Sequence, residues 1–456
     1  MIEKKLNENL TLTGYGATEE VGRSAFILED GEHRVLLEAG IKLRPNELSL
    51  SPEGLIEKAP ELDAVLLSHA HVDHSGYLPA LWENGYYGKL YMTEPTLDIT
   101  FVLWKDHLKI EGRRHWSYEG LERAYENTQT VKYHERVEIA PEIFATFYNS
   151  GHILGASMIL IDWKGTKILY TGDINDQQTP LFDGFEMPDE EIDVLITEST
   201  NGIREIIPRH EVNKEFLAAV IETLERGKKV IIPCFAVGRS QEVLCVLTEN
   251  IKDYPIYVDG MINKMIAITE KYLDEGWVDG PLIERLKKEK VNSPFKYSNV
   301  FPITPEFYDS TGEFRTFLGK AKEPLIIVTT SGMMMPSPLH THLRFAAQDK
   351  GNMIAITGYQ AEGTIGREVL DGKRTIQVSG WNRKSTFDLK INAKVQRFGF
   401  SGHVSSQGLK DLISTIKPKK IIMIHGDPQN QADLKDKLTN GVLPVVAQRN
   451  IPIKLQ

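Results

Sequence analysis

The chain has 456 residues, of which 41% are hydrophobic, 25% charged and 9% aromatic. This composition is that of an ordinary globular protein and excludes a disordered or fibrous chain, and the length predicts two or three domains. The 53 Lys and Arg residues against 63 Asp and Glu residues give a net charge of -10. That charge argues against a protein that coats nucleic acid through bulk positive charge, although basic residues can still gather around one cleft.

The sequence also excludes a membrane-spanning segment. Its unbroken aliphatic runs are of strand length, far short of the roughly 18 apolar residues that cross a bilayer. Residues 1–6 carry charges without the apolar region of a secretory signal, so we expect a cytoplasmic location and no membrane partner. Two cysteines, Cys234 and Cys245, are too few for a disulfide framework or a four-thiolate zinc site, and we expect both to be buried free thiols.

Residues 1–205 form a strand-rich segment. Short β-runs separated by glycines predict strands at 25–28, 35–38, 64–68, 143–148, 158–161, 168–170 and 194–197. A helical spacing of apolar residues predicts one long helix over 96–126. We expect this helix to pack on a face of the sheet.

Residues 206–388 instead alternate helix and buried-strand patterns, which is typical of a doubly wound α/β module. Helices are predicted at 216–226 and 240–250, and strands at 229–233, 255–258, 324–329 and 353–357. Residues 389–456 return to a β-rich texture, with a helix at 409–416 and a strand at 420–424. The sequence therefore predicts an α/β protein in which residues 206–388 are inserted into a domain formed by 1–205 and 389–456.

A dense group of candidate metal ligands follows the predicted strand at 64–68. His69, His71, Asp73 and His74 fall within six residues. On an extended turn His69 and His71 can point the same way, while Asp73 and His74 can point at a second metal as the chain turns into a helix. Imidazole and carboxylate are ligand types that zinc accepts, so this spacing predicts a two-metal pocket.

Two further candidates, His152 and Asp173, lie at predicted strand ends and are flanked by glycine. Glycine permits tight turns and close backbone approach, so each side chain can be aimed at one point from a sheet edge. Alone, each signal is weak, because a single histidine or a Gly-Asp turn is more often structural. Together with the first group they complete a candidate binuclear site.

These residues, with Glu38 at the end of a predicted strand, resemble the ordered motifs of the metallo-β-lactamase superfamily. The resemblance implies an αββα sandwich with the metals at one sheet edge, and it covers the first 200 residues and the tail. The family usually has Asp at the position of Glu38, for which we expect a supporting role.

Further landmarks resemble the β-CASP nucleases of that superfamily: Glu198, His403 and His425, in family order. The insert adds similar segments at 232–242, 330–333 and 358–364. A histidine at the position of His425 marks RNA-processing members, whereas DNA-processing members typically have valine there. The chain looks most like short archaeal relatives of the cleavage and polyadenylation nuclease subunit, with the KH modules of longer relatives expected to be absent, and its core is also similar to RNase J.

The resemblance implies a role for each matching residue. One zinc ion would be held by His69, His71 and His152, and the other by Asp73, His74 and His425, with Asp173 bridging them; manganese is the alternative metal. The candidate catalytic residues are Asp73, His403 and Glu198. Of these, His403 would be the general acid, and Glu198 would hold its ring and keep it protonated.

Groups that could bind a phosphate lie in the inserted segment, residues 206–388. Glycine-flanked turns and arginines can bind anions, which makes candidate substrate-binding residues of Arg239, Ser331, Gly332, Thr364 and Arg367. For each of them an ordinary solvated or salt-bridged role is the competing interpretation. His340 and His342, within a predicted helix and without an evident carboxylate partner, are expected to be structural.

The sequence thus favours a zinc-dependent ribonuclease that hydrolyses RNA phosphodiester bonds by a two-metal hydroxide mechanism. We expect an endonuclease acting on single-stranded RNA in 3′-end processing or decay, with 5′-to-3′ exonuclease activity left open. The alternatives are a DNA nuclease of the same branch, against which His425 counts, and an inactive scaffold subunit of an RNA-processing complex. A homodimer is the assembly that related archaeal proteins suggest.

Overall fold

The computed structural model describes residues 9–44, 47–379, 385–438 and 441–456. The chain divides into two compact units. The first comprises Met1–Gln177, Asp183–Glu205 and Gly402–Gln456, and the second comprises Gln178–Phe182 and Ile206–Ser401. Within the described ranges no helix is both long and apolar enough to cross a membrane.

The N-terminal part of the first unit alternates strands with short helices. In chain order its elements are β1 (Thr11–Gly16), β2 (Ala25–Glu29), β3 (Arg34–Leu37), a 3-10 helix (Ile56–Glu61), β4 (Ala64–Leu66), α1 (Val72–Ser75), α2 (Pro79–Glu83), β5 (Lys89–Thr93), α3 (Glu94–Glu111), α4 (Tyr118–Glu126), β6 (Thr128–Val131), β7 (Arg136–Ala140), β8 (Ile143–Asn149), β9 (Ser157–Trp163), β10 (Thr166–Tyr170) and β11 (Val194–Glu198).

The single helix predicted over 96–126 is wrong. Helix α3 stops at Gly112, whose φ of +65° lies outside the right-handed helical region and suits glycine. A new helix, α4, then starts at Tyr118 and is capped by Ser117, whose side chain accepts a hydrogen bond from the Glu119 backbone N–H. The apolar periodicity runs through both helices and so conceals the break.

The second unit has the elements α5 (Arg209–Glu225), β12 (Val230–Pro233), α6 (Arg239–Asn250), β13 (Ile256–Asp259), α7 (Ile262–Lys271), α8 (Gly280–Glu289), β14 (Val300–Ile303), α9 (Thr311–Lys320), β15 (Ile326–Thr329), α10 (Pro338–Ala346), β16 (Met353–Ile356), α11 (Ile365–Leu370), β17 (Thr375–Ser379), β18 (Thr386–Lys390) and β19 (Lys394–Arg397). Its described strands form a parallel sheet in the order β14-β13-β15-β12-β16-β19 and a β17-β18 hairpin. The alternating pattern of buried strands and helices is that of a doubly wound module.

The tail contributes α12 (Ser406–Ile416), β20 (Lys420–Ile424), α13 (Pro428–Lys437), β21 (Val445–Val446) and β22 (Ile453–Lys454). Strand β22 pairs with β1, and β20 pairs in parallel with β11. The described strands of the first unit therefore form two sheets, in the orders β22-β1-β2-β3-β4-β5-β6 and β21-β20-β11-β10-β9-β8-β7.

The two sheets of the first unit pack face to face. Their facing side chains form one core, with Phe26 and Leu66 from one sheet and Ile161 and Ile196 from the other. The outer face of the first sheet is covered by α2, α3 and α4, and that of the second by α12 and α13. This arrangement is the αββα sandwich that the resemblance implies.

The end of the second unit differs from the sequence-based boundary at 388. The compact unit continues to Ser401 because β19 pairs in parallel with β16 and extends the sheet of that unit. Phe398 and Phe400 then pack edge-on against Phe216 of α5.

Candidate metal centre

Three imidazoles of the first unit lie around a common point. The rings of His69, His71 and His152 are mutually 5.0 Å apart between centroids, and His152 Nε2 lies 3.1 Å from His71 Nδ1. His69 and His71 sit on the extended turn after β4, and His152 lies in the turn between β8 and β9. With Asp173 they offer ligand atoms within 4.8 Å of one another, and we call these four residues the first cluster.

A second cluster consists of Asp73, His74 and His425, whose ligand atoms also lie within 4.8 Å of one another. His425 Nε2 is 3.4 Å from Asp73 Oδ2, and the His74 and His425 rings are 4.9 Å apart. Asp73 and His74 belong to α1, whereas His425 directly follows β20 and has a positive φ of 47°. The tail thus carries one member of this cluster.

Asp173 joins the two clusters. Its Oδ2 lies 3.6 Å from His69 Nε2 and 3.5 Å from His74 Nε2, and its Oδ1 lies 3.4 Å from His425 Nδ1. The carboxylate is only 3% exposed and so is shielded from bulk water. By these distances it lies between the two groups of imidazoles.

Several buried atoms here have no hydrogen-bond partner among the described residues: His69 Nε2, His74 Nε2 and Asp173 Oδ1. A buried polar atom without a partner is costly, and such atoms are normally satisfied by protein, water or an ion. These are nitrogen and oxygen donors of the types zinc accepts. The residues present therefore fit a metal ion.

The electrostatics of the first cluster keep its histidines neutral. Burial, together with neighbouring His74, holds the pKa of His69 well below its usual value, and burial also lowers the pKa values of His71 and His152. Neutral imidazole is the form that binds metals. By contrast, burial lowers the pKa of His74, but the carboxylates of Asp173, Asp73 and Glu38 outweigh it and raise that pKa to about 10.

Glu38 contacts both ends of the segment that carries the candidate ligands from His69 to His74. Its Oε1 accepts a 2.8 Å hydrogen bond from the Ser68 backbone N–H, and its Oε2 lies 3.2 Å from His74 Nδ1. The side chain is fully buried and burial raises its pKa, while His74 lowers it. Glu38 therefore contacts both the start of the turn and the ring of His74, and its supporting role stays a prediction.

Glu198 and His403 form a pair beside the clusters. His403 Nδ1 lies 2.9 Å from Glu198 Oε2 and 3.8 Å from Asp173 Oδ2, and the His403 and His152 rings are 5.1 Å apart. Burial lowers the pKa of His403, but the carboxylates of Glu198 and Asp173 raise it to about 9. The His403 side chain is 25% exposed, so a protonated imidazole is accessible at the edge of the site.

Sequence reasoning missed three polar residues that hold these groups. Asn201 Nδ2 donates to the backbone carbonyls of His403 and Val404, and the Thr200 hydroxyl lies 3.1 Å from His425 Nδ1. Ser68 Oγ lies 3.0 Å from His69 Nδ1. Each flanks a recognised motif residue, so proximity to Glu198 or His69 in sequence is the signal that could have found it.

The candidate phosphate-binding residues lie in the second unit, and several are already engaged there. Arg239, the first residue of α6, forms an ion pair with Glu242, and its guanidinium lies 5.5 Å from the Phe400 ring. Thr364 caps α11 by accepting from the Arg367 backbone N–H, and the Arg367 side chain pairs with Asp371. Ser331 and Gly332 lie in the turn after β15. Binding of phosphate by these residues stays a prediction.

A separate cavity of about 540 Å³ lies in the second unit. Its walls come from the N-terminal turn of α9, the start of α10 and the end of β17, and include Arg315, His340 and Arg344. None of the sequence-predicted site residues lines it.

Comparisons with known proteins give three family-model matches. A metallo-beta-lactamase superfamily domain matches residues 6–200, a Beta-Casp domain matches 240–369, and a Zn-dependent metallo-hydrolase RNA specificity domain matches 388–448.

Curated relatives match across most of the chain. It is 36% identical over 440 residues to the transcription termination factor FttA of Methanocaldococcus jannaschii, covering 92% of this chain and 67% of that protein. It is also 36% identical over 427 residues to the RNase J-like protein of the same organism, covering 91% of each chain. FttA of Methanothermobacter thermautotrophicus is 33% identical over 454 residues, with 95% of this chain and 69% of that protein covered.

One solved structure supports the fold. A crystal structure of a protein of unknown function from Enterococcus faecalis V583 superposes with a TM-score of 0.59 at 15% identity, covering 97% of this chain and 99% of that one. At this identity the likeness concerns the fold alone.

Proposed function

Because this chain belongs to the β-CASP branch of the metallo-β-lactamase superfamily, we propose that it is a two-zinc ribonuclease that cuts single-stranded RNA internally. A metal-dependent hydrolase that acts on RNA is supported by the RNase J-like relative and by the match of residues 388–448 to a Zn-dependent metallo-hydrolase RNA specificity domain. The relatives named for transcription termination and for RNase J likeness support a role in RNA 3′-end processing or termination.

The observation that carries this proposal is the pair of ligand clusters joined by Asp173. His69, His71 and His152 would hold one zinc ion, and Asp73, His74 and His425 the other. When bound, two such ions would neutralise the charge of the scissile phosphodiester and activate a water nucleophile at neutral pH.

His403 would supply the proton that the leaving oxygen needs. Its Nδ1 faces Glu198, so Nε2 is the atom that would deliver the proton. Glu198 is buried at the end of β11 and its Oε1 accepts a 2.8 Å hydrogen bond from the Ile174 N–H, which fixes the carboxylate. A fixed carboxylate orients the imidazole and favours its charged form.

The test is cleavage of one RNA, labelled at its 5′ end, in linear form, beside an unlabelled circular form of it, with a DNA strand of the same sequence as comparison. Zinc-loaded wild-type protein is assayed beside Asp73→Ala and His403→Ala, with His210→Ala, an exposed histidine of the second unit, as the matched control. We expect both RNA forms to be cut by the wild type and the control, and by neither site variant.

Each other outcome decides a different point. Release of 5′ mononucleotides from linear RNA alone would replace the endonuclease with a 5′-to-3′ exonuclease. Cleavage of DNA but not RNA would favour the DNA nuclease. If two equivalents of zinc bind and no nucleic acid is cut, the ribonuclease proposal fails in favour of a scaffold role.

A further inference from the structure

Five consecutive backbone carbonyls, including those of Asp73 and His74 of the second cluster, each accept a hydrogen bond from outside their own turn. The carbonyls of Val72, Asp73 and His74 accept hydrogen bonds of 2.8–2.9 Å from the backbone N–H groups of Ile41, Ser24 and Ala39. The next two, those of Ser75 and Gly76, accept 2.9 Å hydrogen bonds from the indole Nε1–H groups of Trp104 and Trp116.

Within their own turn, among the described residues, only the carbonyls of Val72 and Ser75 have a further partner, the N–H groups of Gly76 at 2.8 Å and Leu78 at 3.2 Å. A helix of four residues leaves most of its carbonyls without a partner inside the helix. The backbone N–H groups of Ser24, Ala39 and Ile41 bind three of these carbonyls. Gly40 allows this close approach, because a Cβ at Gly40 would overlap the carbonyl oxygen of Asp73. The two remaining carbonyls point away from that backbone and towards the helices that cover the sheet.

Trp104 and Trp116 reach those carbonyls from two places. Trp104 lies on α3, and Trp116 lies in the link between α3 and α4. Both side chains are almost completely buried in the core between the first sheet and its helices. A buried indole N–H needs an acceptor, and here both acceptors belong to the residues that follow His74 in the chain.

We infer that Trp104 and Trp116 are positioning residues for the metal site. Their N–H groups fix the turn at Ser75 and Gly76, so that Asp73 and His74 keep ligand geometry before any metal binds. This inference rests on the proposed metal site and adds to it two residues that act through the backbone carbonyls of Ser75 and Gly76. Groups that orient metal ligands are commonly worth a factor of about 10–100 in metal affinity.

The chain supplies two matched controls. Trp82 lies in the same core, but its Nε1 has no hydrogen-bond partner in the described part of the chain. Trp163 is equally buried and donates a 3.0 Å hydrogen bond, but to Asp30, away from the site. Trp82 controls for lost packing, and Trp163 controls for a lost indole hydrogen bond.

The experiment measures Co²⁺ and Zn²⁺ binding to the full chain by chelator competition, together with the visible absorption spectrum of bound Co²⁺. We expect Trp104→Phe and Trp116→Phe to weaken metal binding about 10- to 100-fold and to change the Co²⁺ spectrum. Trp82→Phe and Trp163→Phe should keep both the affinity and the spectrum of the wild type, even where their unfolding temperatures fall.

A second experiment separates the effect of the indole N–H hydrogen bond from the effect of the packing of the ring. Incorporation of a benzothienyl alanine, in which sulfur replaces the indole N–H, keeps the shape of Trp104 and deletes its hydrogen bond. The inference is overturned if this protein binds Co²⁺ with wild-type affinity and spectrum, or if the Trp82 variant loses as much affinity as the Trp104 variant. If the wild type binds no metal, it is the proposed metal site that fails.

Discussion

Glu198 is the residue at which proton donation can be tested apart from metal binding. Its carboxylate contacts His403 Nδ1 at 2.9 Å, yet its oxygen also lies within 4.8 Å of ligand atoms of Asp173 and His425. The geometry therefore allows two roles, holding the imidazole or holding a metal. The assignment of Glu198 to His403 predicts that only turnover depends on it.

We expect Glu198→Gln to lower kcat for RNA cleavage by about 100-fold while the bound zinc stays at the wild-type level, because an amide no longer favours the charged imidazole. Steady-state cleavage and elemental analysis of the same preparation measure both. Glu186→Gln is the control, since Glu186 forms a similar pair with His134 at the surface, 3.0 Å apart. A parallel loss of zinc would make Glu198 a metal ligand instead.

Single residues also show what sequence reasoning could and could not predict. The run from His69 to His74 is local, so its spacing already indicates a metal pocket, and the later ligands are found from their motifs. His342 is different: it was expected to lack a carboxylate partner, but its Nε2 lies 2.7 Å from Asp259 Oδ2, and Arg315 binds the same carboxylate. That partner comes from a strand end 83 residues earlier, which no local pattern reveals.

At the scale of the secondary-structure elements, a hydrogen bond and an ion pair to one carboxylate link the two sheets of the first unit. Asp30, in the turn after β2, accepts a 3.0 Å hydrogen bond from Trp163 Nε1 of β9 and pairs with Lys164 at 2.9 Å. Burial raises the pKa of Asp30, but hydrogen bonds from the His33 backbone, Trp163 and Lys164 outweigh it and hold the pKa below its usual value. Strands from opposite sheets are thereby joined through one ionised carboxylate.

We expect Asp30→Asn to lower the free energy of unfolding by about 2 kcal/mol at pH 7, since charged hydrogen bonds are lost. An acid whose pKa is lowered in the folded state stabilises that state above its unfolded pKa of about 4, and the gain fades as pH falls further. In urea unfolding, the difference in stability between the two proteins should therefore stay constant from pH 7 to about pH 4 and begin to narrow between about pH 4 and pH 3. Asp189→Asn, at an exposed position, should show no such difference.

The bounds of some strands and helices depend on strand pairing and on backbone conformation, which the apolar pattern of the sequence does not reveal. The strand β19 has exposed and half-buried residues and lacks an apolar alternation, so only its parallel pairing with β16 identifies it. Likewise, residues 112–117 separate α3 from α4 although the apolar spacing predicts one helix across them. The buried strands of both units were predictable because their cores require continuous apolar runs.

The whole molecule is built from two compact units, each made of separate stretches of the chain. The first unit needs residues 402–456 because β20 and β22 complete its two sheets. The second unit has its own sheet and its own apolar core, formed by residues such as Ile327, Leu343 and Ile354. Folding of the two parts should therefore differ when they are separated.

We expect a fragment of residues 206–401 to unfold cooperatively by itself, whereas residues 1–205 alone should aggregate or lack a cooperative transition. Adding residues 402–456 to the latter, through a short linker in place of the second unit, should restore cooperative unfolding and zinc binding. Circular dichroism on heating and zinc titration measure these outcomes. A cooperative transition in the fragment 1–205 alone would show that the tail is dispensable for the fold.

The order of residues along the chain has a consequence for synthesis. His403 and His425 follow the second unit in sequence, so a polypeptide emerging from the ribosome carries the other candidate ligands long before these two. A product that stops anywhere within the second unit would lack both His403 and His425. With the roles proposed for these two residues, only chains translated past that unit can be active.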